Sequence, residues 1–321
     1  MDERYQSLLG RASRAFADRP VGEAVARVRA LVGVPKVPDS EHAAQVALDK
    51  LNSNQAPTPI ELAALELVIR MMRAAPLSQN GTLAPLPTSA GANTYNPATS
   101  ALWDGFCQKV QPYLYSIGRL DRASGQDPAV GTGFLVADGV VMTNRHVLDD
   151  LSFGAAELEL GQAVIRFHQE YGCIDRMPPV PVTGVLAIHP TLDLALLRIE
   201  PSSRPVPQFE PGTVATSTDV ATIGYPFKDD INNPLFADAV FGGKYGVKRA
   251  AIGEVMSATS TRLFHDCSTL GGNSGSPLFS LATARIVGVH FSGTFMYRNE
   301  AVPATEASAF VAASIQTGAG G

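Results

Sequence analysis

Gly131-Thr-Gly-Phe-Leu-Val-Ala-Asp-Gly-Val-Val-Met-Thr-Asn-Arg-His146-Val147 reads as a glycine-flanked strand, a turn and a second strand that ends at a histidine in a polar loop. The same grammar continues outward. Short apolar runs separated by Gly, Pro and Asp occupy 182–189, 194–199, 214–225, 249–256 and 284–291. Many short strands with turn signals between them predict a sandwich or barrel, and the lack of alternating helices argues against a parallel α/β sheet. Residues 304–316 read as one closing helix.

Upstream the period changes. Residues 2–17, 21–32, 40–52 and 58–74 are predicted helices. Thr58-Pro59-Ile60-Glu61 places a capping hydroxyl, a first-turn proline and a glutamate three residues on, the signature of a capping box. Leu62, Leu65, Val68, Ile69 and Met72 then recur at helical spacing. Between the two grammars, residues 76–100 are rich in Pro, Gly, Ser, Thr and Asn and contain no charged residue, which predicts a flexible linker. The expected organisation is multidomain: an all-α helical bundle over 1–75, a linker over 76–100, and an all-β unit with a closing helix over 101–321.

Composition narrows the function classes. The 321 residues are 45% hydrophobic, enough for a sizeable core, and carry a formal net charge of −5, which argues against a nucleic-acid partner. Met1-Asp2-Glu3-Arg4 lacks the basic region of a secretory signal, and no run of about 18 apolar residues predicts a membrane span. Three cysteines, Cys107, Cys173 and Cys267, read as reduced thiols, so a cytoplasmic protein is expected. The six histidines show no metal-ligand spacing with these cysteines, and no metal or other cofactor is expected.

Acyl transfer by serine needs a nucleophile, a base, a group that orients the base and donors for the oxyanion. The β half supplies candidates in chain order. His146 is the base. Asp193, in His189-Pro-Thr-Leu-Asp193-Leu-Ala-Leu-Leu-Arg198, is the orienting acid; alone it would read as a turn residue. Ser274, in Ser268-Thr-Leu-Gly-Gly-Asn-Ser274-Gly-Ser-Pro277, is the nucleophile, between glycines that allow a tight turn. The amides of Gly272 and Ser274 are the expected oxyanion donors.

Together these three strings resemble the trypsin-like serine peptidase superfamily, and most of all its bacterial, disulfide-poor branch with glutamyl endopeptidases and HtrA-type proteases. The resemblance spans roughly residues 112–315 and includes Ile223-Gly-Tyr-Pro226 and Ala301-Val-Pro303. It implies two six-stranded β-barrels with the triad between them, and a serine endopeptidase acting on protein or peptide substrates. Asn273 stands where digestive relatives carry an aspartate that pairs with a freed amino terminus, so activation by such a terminus is not expected.

The resemblance also implies a specificity pocket. Thr269 and His290 match residues that receive an acidic side chain in glutamyl endopeptidases, although His290 lies one residue later than the family pattern and Leu270 replaces a common polar residue. A satisfied core histidine is the competing reading of His290. A hydroxyl and an imidazole that is charged near neutrality can accept a carboxylate. Ser268 in place of an aspartate disfavours a Lys/Arg preference. Ser292 and Gly293 are expected to offer edge backbone to an extended substrate.

The helical half carries no catalytic string. It reads either as a folding cap or as an adaptor that binds a protein partner. Its organisation resembles bacterial peptidases fused to recruitment modules of defence or signalling systems. The alternative to an active enzyme is an inactive protease-fold binding or scaffold protein; the intact His, Asp and Ser argue against it.

Overall fold

The computed structural model describes residues 3–16, 20–32, 40–73, 75–86, 88–89, 92–93, 97–124, 129–173, 177–228, 234–294 and 298–318. Four amino-terminal helices form a bundle: α1 (Glu3–Phe16), α2 (Val21–Val32), α3 (Ser40–Asn52) and α4 (Pro59–Met71). Leu8, Phe16, Val21, Leu51, Leu65 and Val68 meet in its core. The start of α4 is fixed as expected: Glu61 N donates to Thr58 Oγ1 at 3.3 Å, and Thr58 N donates to Glu61 Oε2 at 2.7 Å. Residues 64–71 are buried on every side, because α4 lies between the bundle and the β unit.

The linker reading needs correction where the segment is described. Ala250 N donates to Pro76 O and Ser78 N to Lys248 O, both at 3.0 Å, so residues 76–78 run along the β unit. Strands β1 (Ser78–Gln79) and β2 (Thr82–Leu83) form a hairpin across Asn80 and Gly81, whose φ values are 50° and 71°. Glu170 accepts from Ser78 Oγ at 2.6 Å and from Gly81 N at 2.9 Å, and closes the turn. A short hairpin, β3 (Thr88–Ser89) and β4 (Ala92–Asn93), follows; residues 87, 90–91 and 94–96 lie outside the described set. Helix α5 (Pro97–Val110) and a 3₁₀ turn (Gln111–Ser116) then bury Trp103, Phe106 and Leu114 in the same core as Leu83 and Leu86. Burying side chains such as Leu83 and Phe106 contributes roughly 1.5–3 kcal/mol each. The segment lacks charge because much of it is interior.

The β unit consists of two closed antiparallel barrels. The first contains β5 (Ile117–Arg122), β6 (Ala129–Ala137), β7 (Val140–Thr143), β8 (Ala163–Arg166), β9 (Val180–Ile188) and β10 (Ala195–Ile199), in the order β10-β7-β6-β5-β8-β9. The second contains β11 (Asp219–Gly224), β12 (Arg249–Ala258), β13 (Leu263–His265), β14 (Pro277–Ser280), β15 (Ile286–Thr294) and β16 (Arg298–Pro303), in the order β11-β12-β13-β16-β15-β14. Closure leaves neither sheet with a free outer strand. Phe134, Met142 and Leu194 of the first barrel share a core with Ile223, Phe279 and Ile286 of the second. Tyr225 Oη donates to Ile117 O at 3.1 Å and ties the two together. Short helices α6 (Arg145–Leu151) and α7 (Pro234–Phe241) sit on loops, and α8 (Ala304–Gly318) closes the chain against the β unit through Ala307 and Val311. Among the described residues no helix is long and apolar enough to cross a membrane.

Candidate active site

Strand β7 ends at Thr143, and Asn144 turns the chain into α6, which puts His146 in the first turn of that helix. Asp193 precedes β10, the strand that pairs with β7, with Ala195 opposite Thr143. This register brings the two residues together. Asn144 Nδ2 donates to Asp193 O at 2.8 Å, His146 N donates to Asp193 Oδ1 at 3.0 Å, and His146 Nδ1 lies 2.6 Å from Asp193 Oδ2. The carboxylate thus fixes both the backbone and the ring of the histidine, and an Nδ1 proton on the ring leaves Nε2 as the basic nitrogen. Burial disfavours both charges, but the pair outweighs it: His146 is held above its ordinary value, and Asp193 below, with the Arg145 amide assisting.

The Ser274 loop is stitched to the same corner. Thr132 N donates to Ser274 O at 2.9 Å, Thr132 Oγ1 to Gly272 O at 2.7 Å, and Thr143 Oγ1 to Thr132 O at 2.7 Å. Thr143 therefore connects the nucleophile loop to the strand that ends beside His146. Gly272 and Gly275 have φ values of 86° and 85°; a Cβ on Gly272 would stand 2.3 Å from Tyr225 O, and one on Gly275 2.1 Å from Thr132 O. Only glycine fits either place. Backbone bonds occupy the amides of Asn273, Gly275 and Ser276, whereas those of Gly272 and Ser274 are not spent on any described carbonyl. Asn273 is buried and bonds back to Leu270 O within its own loop. The direct contact formed here is His146–Asp193; no described residue bonds to Ser274 Oγ. Such contacts tighten when substrate binds.

The expected pocket residues also converge. His290 O accepts from Gly275 N at 2.8 Å, and His290 N donates to Ser276 O at 2.9 Å, which locks β15 to the nucleophile loop. Strand β15 pairs with β14 only as far as Val289, so the exposed Ser292 and Gly293 keep one backbone edge open for a further strand. Thr269 Oγ1 donates to Asn299 Oδ1 at 2.9 Å, and Asn299 Nδ2 donates to Cys267 O. Gly293 is required opposite: a Cβ there would lie 2.1 Å from Asn299 Oδ1.

Of the two readings of His290, the core histidine is the one that expects a buried ring with a ring partner. The imidazole is 3% exposed and faces His265, with 3.2 Å between His265 Nε2 and His290 Nδ1. Burial, and then the charge on His146, push His290 down to about 3. Burial and His290 push His265 well down too. In the empty site these effects favour the neutral imidazole near pH 7, which can donate one ring N–H; a carboxylate beside it would push the ring back up. The sequence reading missed Asn299, His265 and Asn144. Asn144 could have been found as the N-cap residue of a helix that opens on the candidate base, His146. Nothing local marks Asn299 or His265. Among the described residues no group of three His, Cys, Asp or Glu is placed to hold a metal.

Residues 131–289 match the family described as trypsin-like peptidase domain. The chain is 25% identical over 183 residues to a glutamyl endopeptidase of Staphylococcus epidermidis, an alignment covering 54% of this chain and 57% of that protein. It is 29% identical over 196 residues to a probable periplasmic DegP-like serine endoprotease of a Marinomonas species, covering 58% of this chain and 36% of the relative. A solved serine endoprotease from Yersinia pestis aligns at 19% identity and a TM-score of 0.49, over 66% of this chain and 67% of that one. The chain thus spans little more than half, or less, of the curated relatives it matches.

Proposed function

We propose, for a chain that belongs to the trypsin-like serine peptidases, an endopeptidase reaction run by Ser274, His146 and Asp193. Ser274 Oγ attacks the carbonyl carbon of the scissile bond while His146 Nε2 takes its proton. The oxyanion is received by the Gly272 and Ser274 amides, donors worth about 2.7–4 kcal/mol each at the transition state. His146 then gives the proton to the leaving amine, and water repeats the sequence to release the acyl group. The observation that carries this reading is the double attachment of Asp193 to His146, through Nδ1 and the backbone amide.

The preferred substrate is a peptide with an acidic residue before the scissile bond. The second Nδ2 hydrogen of Asn299, a ring N–H of His290 and the Thr269 hydroxyl once turned away from Asn299 Oδ1 are donors that a carboxylate can use, and Ser268 offers no negative charge to a basic guest. A reducing compartment suits the three free cysteines, of which Cys107 and Cys267 carry thiols raised by burial. The helical half regulates the protease by contact and offers its outer faces to a protein partner, consistent with the defence or signalling organisation expected above. A fluorophosphonate probe tests the core of the proposal. Labelling is expected in the wild type and absent from Ser274→Ala; a folded wild type that takes no label would support the inactive binding or scaffold reading instead. Profiling on a peptide library tests the preference, which strong cleavage after Lys, Arg or Phe and none after Glu would overturn.

A further inference from the structure

The helical half docks on the second barrel through charges buried at the back of the specificity pocket. Arg11 pairs with Glu66 and donates from Nη1 to Asp266 Oδ2 at 3.1 Å. Arg14 and Arg73 both pair with Glu254 on β12, and Arg73 also stands against Asp266. Arg70, on α4, differs. It is 1% exposed, and its one bond runs from Nη1 to Cys267 O at 3.1 Å, leaving Nε and Nη2 buried without a described partner. Of the four arginines facing Glu66, Glu254 and Asp266, it is the one with no carboxylate in hydrogen-bond reach.

The carbonyl it holds belongs to the pocket. Cys267 O also accepts from Asn299 Nδ2, and Asn299 Oδ1 in turn accepts from Thr269 Oγ1. A single acceptor therefore joins α4 to the pocket wall. The next residue, Ser268, occupies the position discussed above for charge selection; it is buried and its Oγ has no partner. His290 is buried against His265 and held low in the empty site, whereas the Arg70 guanidinium behind the Cys267 carbonyl is a charge that does not depend on titration near neutrality.

We propose that Arg70 is a positioning residue for substrate selection: it fixes the Cys267 carbonyl, and through it Asn299 and Thr269, and sets positive potential behind the pocket that favours an acidic side chain before the scissile bond. The inference rests on the acidic preference proposed above and adds that this preference is supplied by the helical half. A protease whose helical half moved away would keep its triad and lose its choice of substrate.

The test uses the full-length chain and two peptides that differ only in Glu or Gln before the scissile bond. The wild type is expected to favour Glu. Arg70→Met should lower kcat/KM for the Glu peptide about tenfold, mostly through KM, as loss of one screened charge interaction predicts, and leave the Gln peptide within about twofold. Thermal melting and the rate of fluorophosphonate labelling certify the fold and the triad of each variant. Arg70→Lys gives a second reading, and carries the test alone if Arg70→Met does not fold. Its selectivity should match the wild type near about pH 6 and decline toward about pH 9, because a buried lysine loses its proton in that interval while arginine does not. The groups facing this side chain are Glu66 and Arg73 on its own segment, Arg11 from α1, and His265, Asp266 and Cys267 from the barrel. These are common to both proteins, so they do not produce the difference. Equal loss on both peptides, or an unchanged Glu/Gln ratio in Arg70→Met, overturns the proposal, as does a Lys variant whose selectivity is flat with pH. A wild type indifferent to Glu and Gln instead defeats the acidic preference itself.

Discussion

Asp266→Asn tests whether buried charge, rather than apolar contact, holds the helical half in place. Asp266 is fully buried just after β13. Its Oδ1 accepts from Glu254 N at 2.7 Å, its Oδ2 accepts from Arg11, and Arg73 forms an ion pair with it by proximity more than by an aligned hydrogen bond. Asparagine preserves the shape and the bond from the Glu254 amide. It removes the negative charge from among Arg11, Arg70 and Arg73. Removing one partner of a buried pair costs about 3–5 kcal/mol, because the remaining charge is left uncompensated. Glu66 still serves Arg11 and Glu254 still serves Arg73, so the lower end, about 3 kcal/mol, is expected. That is a large share of the roughly 5–15 kcal/mol that stabilises a typical native protein. The arginines lie on the helical half and the aspartate on the barrel, so the loss falls on docking. Urea unfolding separates the two parts. The single tryptophan, Trp103, is buried in the β-unit core and reports that unit by fluorescence, while circular dichroism in the helical band follows the bundle. The helical transition should move to lower urea and precede the fluorescence transition. Acid acts on the same charge. Burial opposes the Asp266 charge, but Arg73 and Arg11 outweigh it and hold the carboxyl well below its ordinary range. Its stabilisation is complete above the unfolded value of about 3.9 and fades as pH falls from there toward the folded value. The wild-type helical transition should weaken over that interval and the Asn variant should not follow. Coincident transitions that move by less than about 0.5 kcal/mol, the range of ordinary surface changes, would refute the reasoning.

Asp193→Asn keeps the bond from the His146 amide but presents an amide to Nδ1; kcat should fall about 10⁴-fold with KM little changed, and a fall under about tenfold in steady-state assays contradicts the assigned role. The pH dependence of kcat/KM should drop on the acid side at a value above the ordinary imidazole value of about 6.5, because His146 must be neutral to act and is held up by Asp193; a midpoint below that counts against the pair. Gly81→Ala, at φ 71° with a Cβ 2.8 Å from the Tyr115 ring, should cost about 1–3 kcal/mol by urea unfolding, and a neutral result shows that the hairpin does not anchor residues 75–86.

The sequence was most legible where one short stretch contains its own reason. Thr58 to Glu61 closes a capping box within four residues, and Gly272 to Ser276 needs its glycines for contacts made inside one loop and its immediate neighbours. The linker was misread because absence of charge was taken as freedom. Asn80-Gly81 carried the opposite signal: it is the two-residue turn that both positive φ values require, set between Ser-Gln and Thr-Leu. Arg70 lay beyond any local rule. The apolar spacing of α4 marks one buried face, while the face with Arg70 is covered by Cys267, a residue 197 positions away. Arg11 meets Asp266 across 255 positions. Periodicity within one helix cannot reveal a cover supplied by another unit.

The pocket sharpens the point. Read from sequence, His290 is either a satisfied core histidine or a group that supplies both the bond and the charge for an acidic guest. In the fold, burial against His265 and the nearby charge of His146 favour a neutral His290. A ring that burial and a charged His146 hold neutral when the site is empty must gain a proton against both before it can attract a carboxylate by charge. The compensating cation has to come from a residue that neither titrates near neutrality nor lies close enough to His146 to disturb it. Arginine meets the first condition by its chemistry. Arg70 meets the second by its place: it is held by the Cys267 carbonyl, with Glu66 and Asp266 near enough to act on it by charge but not by hydrogen bond. In the proposal made above, the helical half supplies one wall of the specificity pocket, so that its docking and the choice of substrate become one equilibrium.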